Sequence, residues 1–85
     1  LRRANRRDQN EKGIVDALRA VGALVFRLDL PCDLLVFHRG KWHCLEIKTE
    51  KGKTETKQES QREFLLLTGT PVVRTPEAAL RAIGL

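Results

Sequence analysis

Apolar residues recur at spacings of three and four at Ile14, Val15, Leu18 and Val21, which predicts a helix from about residue 6 to residue 20 with Gly22 as its stop. The period then shortens to two. Residues 23–28 predict a short strand, Leu30-Pro31-Cys32 interrupts the pattern, and residues 33–38 (DLLVFH) predict a second strand. Arg39-Gly40-Lys41 supplies a tight turn and residues 42–48 return as a third strand, so the two form an antiparallel hairpin. Residues 49–56 (TEKGKTET) hold no apolar side chain and read as a solvated loop or the frayed start of a helix. Helical spacing resumes from about 57 to 68, carried by Phe64, Leu65 and Leu67 and ended by Gly69. Residues 71–75 predict a short strand, and Pro76 suits the first position of a last helix over 77–83. The expected order is α-β-β-β-α-β-α, an α/β fold in a single domain over residues 1–85 with no internal repeat.

Charge breaks this pattern at informative places. On the third strand Trp42, Cys44, Glu46 and Lys48 share one face, and His43, Leu45 and Ile47 share the other. The second strand begins at Asp33, and a turn at Gly40 brings Asp33 level with the end that carries Glu46 and Lys48. Two carboxylates and a lysine therefore converge at the open end of a hairpin. Two carboxylates held together repel, and a hard divalent cation relieves the repulsion. Such an ion activates water and orients a phosphodiester, and an adjacent lysine adds positive charge where the phosphate becomes more negative. The competing reading of Glu46-Ile47-Lys48 is an exposed ion pair on a solvated strand.

Two more polar residues lie on apolar stripes. Glu11 precedes Ile14, Val15 and Leu18 by three, four and seven, so it sits at the solvent end of the helix stripe or reaches toward the cation. Gln61 precedes Phe64 and Leu65 by three and four, as a boundary residue at the helix start or as a partner for an active-site water or phosphate.

With 41% hydrophobic and 32% charged residues the chain is globular rather than disordered. No apolar run reaches the roughly 20 residues a membrane span needs, and no signal-peptide pattern opens the chain. A start at Leu1 rather than Met suggests that some residues precede it. The net charge of +5 favours a polyanionic partner. The cations cluster: Arg2, Arg3, Arg6 and Arg7 at the N-terminus, and Lys48, Lys51, Lys53 and Lys57 beside the hairpin's end. Arg6, Arg7, Lys51, Lys53 and Lys57 are the candidate DNA-backbone contacts, which position without reading sequence. Cys32, His38, His43 and Cys44 have no zinc-site spacing, and alternation puts His43 and Cys44 on opposite faces. Trp42 reads as a core or dimer contact rather than a wedge between bases. A chain of 85 residues buries only about 60% of its unfolded surface, so self-association would stabilise it.

The run from Asp33 through Glu46-Ile47-Lys48 resembles the core motif of the PD-(D/E)xK nuclease superfamily. With Glu11 upstream, the polar loop and Gln61-Arg62-Glu63-Phe64-Leu65 downstream, the chain is most similar to the VRR-NUC branch, including its compact phage-type members. The resemblance implies a restriction-endonuclease-like αβββαβ core, a small mixed sheet flanked by helices, and Mg2+- or Mn2+-dependent cleavage of DNA. It implies that Asp33 and Glu46, helped by the Ile47 carbonyl, ligate the metal. Glu11 would support the metal site, Lys48 would position or activate the attacking water, and Gln61 would orient Lys48 or the substrate. It further implies a homodimer, branched DNA such as a Holliday junction as substrate, and a cytoplasmic setting in a bacterial or phage-infected cell. A non-catalytic DNA-binding domain, or a nuclease acting on duplex ends or nicks, are the alternatives. One departure stands out: Cys32 separates Pro31 from Asp33, where the family often has Pro directly before its Asp.

Overall fold

A computed structural model describes residues 10–49 and 59–85. Its elements are α1 (Glu11–Ala20), β1 (Leu24–Arg27), β2 (Leu34–His38), β3 (Lys41–Ile47), α2 (Glu59–Thr68), β4 (Val72–Val73) and α3 (Pro76–Ala82). This is the order that the apolar periodicity predicts. The strands form one four-stranded mixed sheet in the order β1-β2-β3-β4, with β1/β2 and β2/β3 antiparallel and β3/β4 parallel. The parallel pair needs a crossover, which α2 supplies.

Local chemistry explains the element ends. After Ala20 the Gly22 N–H donates to the Arg19 carbonyl and the Ala23 N–H to the Leu18 carbonyl, with Gly22 at φ 92°. This double closure needs a left-handed residue, which glycine supplies without a steric penalty. Thr75 caps α3 by accepting from the Ala78 N–H at 3.1 Å, and Pro76 follows as the first helical residue. The hairpin closes on two residues, Arg39 and Gly40, both at positive φ, between the paired His38 and Lys41.

Strand bounds differ from the periodicity by a residue or two. β4 keeps only Val72 and Val73 of the expected 71–75, and β2 begins one residue after Asp33. The reason at Asp33 is specific: its side chain, not its backbone, accepts the Ile47 N–H at 2.8 Å.

The core lies on one face of the sheet. Ile14, Val15 and Leu18 of α1 are fully buried against Val25, Leu34, Val36, Leu45, Ile47 and Val73, with Ala79 and Ile83 completing the cluster. Each large side chain removed from water there contributes about 2 kcal/mol. α1 packs on α3 and β1, and α3 on β4. No helix among the described residues is long and apolar enough to cross a membrane.

Candidate active site

The hairpin register places the two candidate carboxylates. Leu34 pairs with Leu45, so the next step outward sets Asp33 across from Glu46 on the sheet face opposite α1 and α3. Backbone bonds fix Asp33 on both sides: its N–H donates to the Leu45 carbonyl at 3.2 Å and its carbonyl accepts from Leu28 at 2.8 Å. Its Oδ2 accepts from the Ile47 N–H, so the carboxylate continues a ladder that the backbone of β2 has left. Glu46 is 1% exposed, the only acidic residue of β3. On its other side β3 is tied to β4, where the Glu46 N–H donates to Pro71 and the Lys48 N–H to Val73.

Lys48 follows β3 directly and is half-buried. Asn10, which the sequence reading passed over, holds this end together. Its Nδ2 donates to the Lys48 carbonyl at 2.8 Å and to the Arg74 carbonyl at 2.6 Å, joining the start of α1 to the ends of β3 and β4. With two carbonyls facing it, the nitrogen must be the atom on that side. Asn10 Oδ1 is buried with no hydrogen-bond partner among the described residues. Arg74 reinforces the junction by donating to the Thr49 carbonyl at 2.6 Å. An asparagine ahead of a helix reads as a cap, yet this side chain caps nothing within α1. Only the tertiary fold reveals its use.

Glu11 is buried, not at the solvent end of its stripe, and its Oε2 lies 3.2 Å from Arg27 Nε. Arg27 was not singled out in the sequence, since nothing local links β1 to the start of α1. The pair stands at the same end of the sheet as Asp33, because Leu28, next to Arg27, bonds to Asp33. Gln61 lies half-buried in the first turn of α2, and no hydrogen bond joins it to Lys48 among the described residues. The structure thus brings Asp33, Glu46, Ile47, Lys48 and Glu11 to one end of the sheet. It does not link Gln61 to them. The expectations for Arg6, Arg7, Lys51, Lys53 and Lys57 lie outside the described residues.

No family model, curated protein or solved structure matches this chain. Its chemistry must be read from its own residues. Among the described residues no three His, Cys, Asp or Glu side chains cluster as a ready-made metal site. Asp33 and Glu46, which the register carried one step outward sets opposite each other, and the Ile47 carbonyl nevertheless make up an all-oxygen set of candidate donors. That set suits Mg2+ or Mn2+, which use one or two carboxylates and keep several waters.

The remaining candidate ligands are disposed differently. His43 faces the core side of β3 and Cys44 the other side, as alternation requires. Burial, followed by the nearby His38 and Lys41, holds the His43 imidazole below its usual pKa. His38 is buried, and its Nδ1 has no partner among the described residues. Burial first, and then the neighbouring Cys44, pushes the Cys32 thiol up to about 12, so Cys32 stays protonated at neutral pH. A cavity of about 280 Å³ lies between α2 and the β3 edge, lined by residues that include His43, Cys44, Phe64 and Thr68. None of the candidate catalytic residues lines it.

Proposed function

We propose that this chain is a divalent-metal-dependent DNA endonuclease of the PD-(D/E)xK type, closest to the VRR-NUC branch, with branched DNA as its substrate. The observation that carries this reading is the placement of Asp33 across from Glu46 at the open end of the hairpin, with Lys48 two residues beyond Glu46. Asp33, Glu46 and the Ile47 carbonyl would hold Mg2+ or Mn2+. When bound, the ion supplies Lewis acidity to the phosphoryl oxygen and lowers the pKa of a coordinated water.

The chain's own residues do the positioning. The Ile47 N–H fixes one oxygen of Asp33, so this carboxylate is oriented before any ligand arrives. Burial keeps the Glu46 side chain from sampling the many rotamers open to an exposed glutamate. The Lys48 ammonium would sit beside the scissile phosphate and stabilise the charge that grows on its oxygens. Asn10 holds the backbone on which Lys48 is mounted, and Glu11 pairs with Arg27 at the same end of the sheet. The net charge of +5 favours approach of a polyanion to the chain.

One observation favours a second reading, a non-catalytic DNA-binding domain of the same fold. Asp33 and Glu11 each already serve an internal contact, to Ile47 and to Arg27, which a purely structural role would also explain.

Cleavage separates the two. The chain should cut DNA with Mg2+ or Mn2+, and a synthetic four-way junction should be cut faster than a linear duplex of the same sequence. Lys48→Ala should lower the rate by about 100-fold or more while DNA binding persists. Binding without cleavage by the wild-type chain would establish the non-catalytic reading. Equal cutting of junction and linear duplex would remove the branched-DNA assignment alone.

A further inference from the structure

The chain has two cysteines, and the hairpin brings them together. Cys32 lies in the connection between β1 and β2, fully buried, and its Sγ donates to the Leu34 carbonyl at 3.4 Å. That carbonyl belongs to the peptide joining Leu34 to Leu35, and Leu35 is the cross-strand partner of Cys44. The two sulfurs are neighbours: after burial, a hydrogen bond with Cys44 is the main cause that raises the Cys32 thiol. Both are free thiols, but their access to solution differs. Cys44 is half-buried and lines the cavity of about 280 Å³ between α2 and the β3 edge, which has room for several molecules the size of water. Cys32 has no exposed surface at all.

We propose that Cys44 and Cys32 are a peroxide-sensitive thiol pair that closes to a disulfide across the hairpin, beside the proposed metal site. Exposure assigns the roles. Hydrogen peroxide reaches Cys44 first, and the Cys44 thiolate attacks one peroxide oxygen. An S–O bond forms, the O–O bond breaks, and the departing hydroxide takes up the thiol proton as water, leaving a sulfenic acid on Cys44. The buried Cys32 sulfur then attacks the Cys44 sulfur. The S–S bond forms, the S–O bond breaks, and hydroxide leaves with the Cys32 proton as a second water. Two thiols are oxidised and one peroxide is reduced. The bond needs the Cβ atoms about 4 Å apart, and Cys32, outside the strands, gives up only a weak S–H donor contact to reach it. Cys32 directly precedes Asp33, and Cys44 stands two residues before Glu46. Drawing the cysteines together therefore re-aims the Asp33 carboxylate, now fixed by the Ile47 N–H at 2.8 Å, and loosens a cation held between Asp33 and Glu46. That consequence rests on the proposed metal site; the disulfide itself does not.

The test treats the reduced 85-residue chain with hydrogen peroxide. The wild-type chain should become lighter by two hydrogen atoms, run as a single chain on a non-reducing gel and lose both alkylatable thiols. Trypsin cuts between the cysteines at Arg39 and Lys41, so residues 28–39 and 42–48 should emerge as one cross-linked peptide, a readout that needs no variant. Cys32→Ser should stop at a Cys44 sulfenic acid that dimedone traps. Cys44→Ser should leave Cys32 unoxidised at the same peroxide dose. Two free thiols after treatment, or a disulfide found only between chains, would overturn the proposal. So would a Cys44 that proceeds to sulfinic acid while Cys32 stays reduced. Mn2+ binding then reads the consequence: oxidation should weaken it by about 10-fold, and dithiothreitol should restore it. Equal Mn2+ affinity in the oxidised and reduced chains would remove the effect on the site. A reduced chain that binds no Mn2+ would count against the metal site alone, since the mass and peptide readouts decide the thiol pair without it.

Discussion

The two faces of the sheet divide the work of the molecule. On the face beneath α1 and α3, Leu34, Val36, Leu45 and Ile47 meet helical side chains and lose nearly all contact with water. On the opposite face the same strands carry a buried Glu46, an anchored Asp33 and an open aromatic cluster. Strand alternation sends neighbouring residues to these different fates, so one seven-residue strand serves both. The first face supplies most of the folding free energy. The second carries the buried Glu46 and the anchored Asp33, the residues of the proposed site.

Substitutions on the two faces should therefore separate sharply. Leu34→Ala removes a fully buried side chain and should destabilise the fold by about 3 kcal/mol, enough to threaten folding of so small a domain. Leu24→Ala, the same change on the exposed face, should lower monomer stability by well under about 1 kcal/mol. Denaturant unfolding measures both, with samples diluted below the range of self-association. Equal losses would erase the distinction between the faces.

A smaller effect probes Asp33, which both ties β2 to β3 and stands at the proposed site. Asp33→Ala leaves the Ile47 N–H without its acceptor and should cost about 1–2 kcal/mol. Asp33→Asn keeps an acceptor oxygen while removing the charge, so it should retain most of that stability. If the two variants unfold alike, the Asp33–Ile47 bond contributes little to the fold.

The turn end of the hairpin offers a gain rather than a loss. Arg39 occupies the left-handed region at φ 53°, which asparagine tolerates better. Arg39→Asn should stabilise the chain by about 0.5 kcal/mol in thermal unfolding, with no effect at the distant site end.

The smallest effect is a dependence on pH. The His43 pKa is lowered by burial, so between its folded and unfolded values the unfolded chain binds more protons. The neutral ring's full stability is present above the ordinary histidine pKa of about 6.5 and declines as pH falls below it. The melting temperature should therefore fall on acidification through that range, and His43→Gln should flatten this slope.

These contrasts bear on what the sequence makes legible. The hairpin is fixed by local signals, an alternating run on each side of Arg39-Gly40, and its two-residue closure alone sets Asp33 across from Glu46. The helix stripe of Ile14, Val15 and Leu18 is equally plain. What escapes a linear reading is every contact between distant segments. Asn10 reaches residues 38 and 64 positions away, and Arg27 meets Glu11 from another element. Trp42 shows a different limit. Alternation assigns it to a face, yet whether that face is covered depends on where helices pack; of the core or dimer contact expected, the 58% exposure excludes the core position.

The proposed site requires Asp33 and Glu46 to hold a divalent cation between them. Mn2+ binding to the DNA-free chain, followed by electron paramagnetic resonance, tests this without requiring any cleavage. The wild-type chain should bind Mn2+, and Asp33→Asn and Glu46→Gln should each weaken binding by about 100-fold while the circular dichroism spectrum is unchanged. Mn2+ bound as tightly by the folded double variant as by the wild type would contradict it.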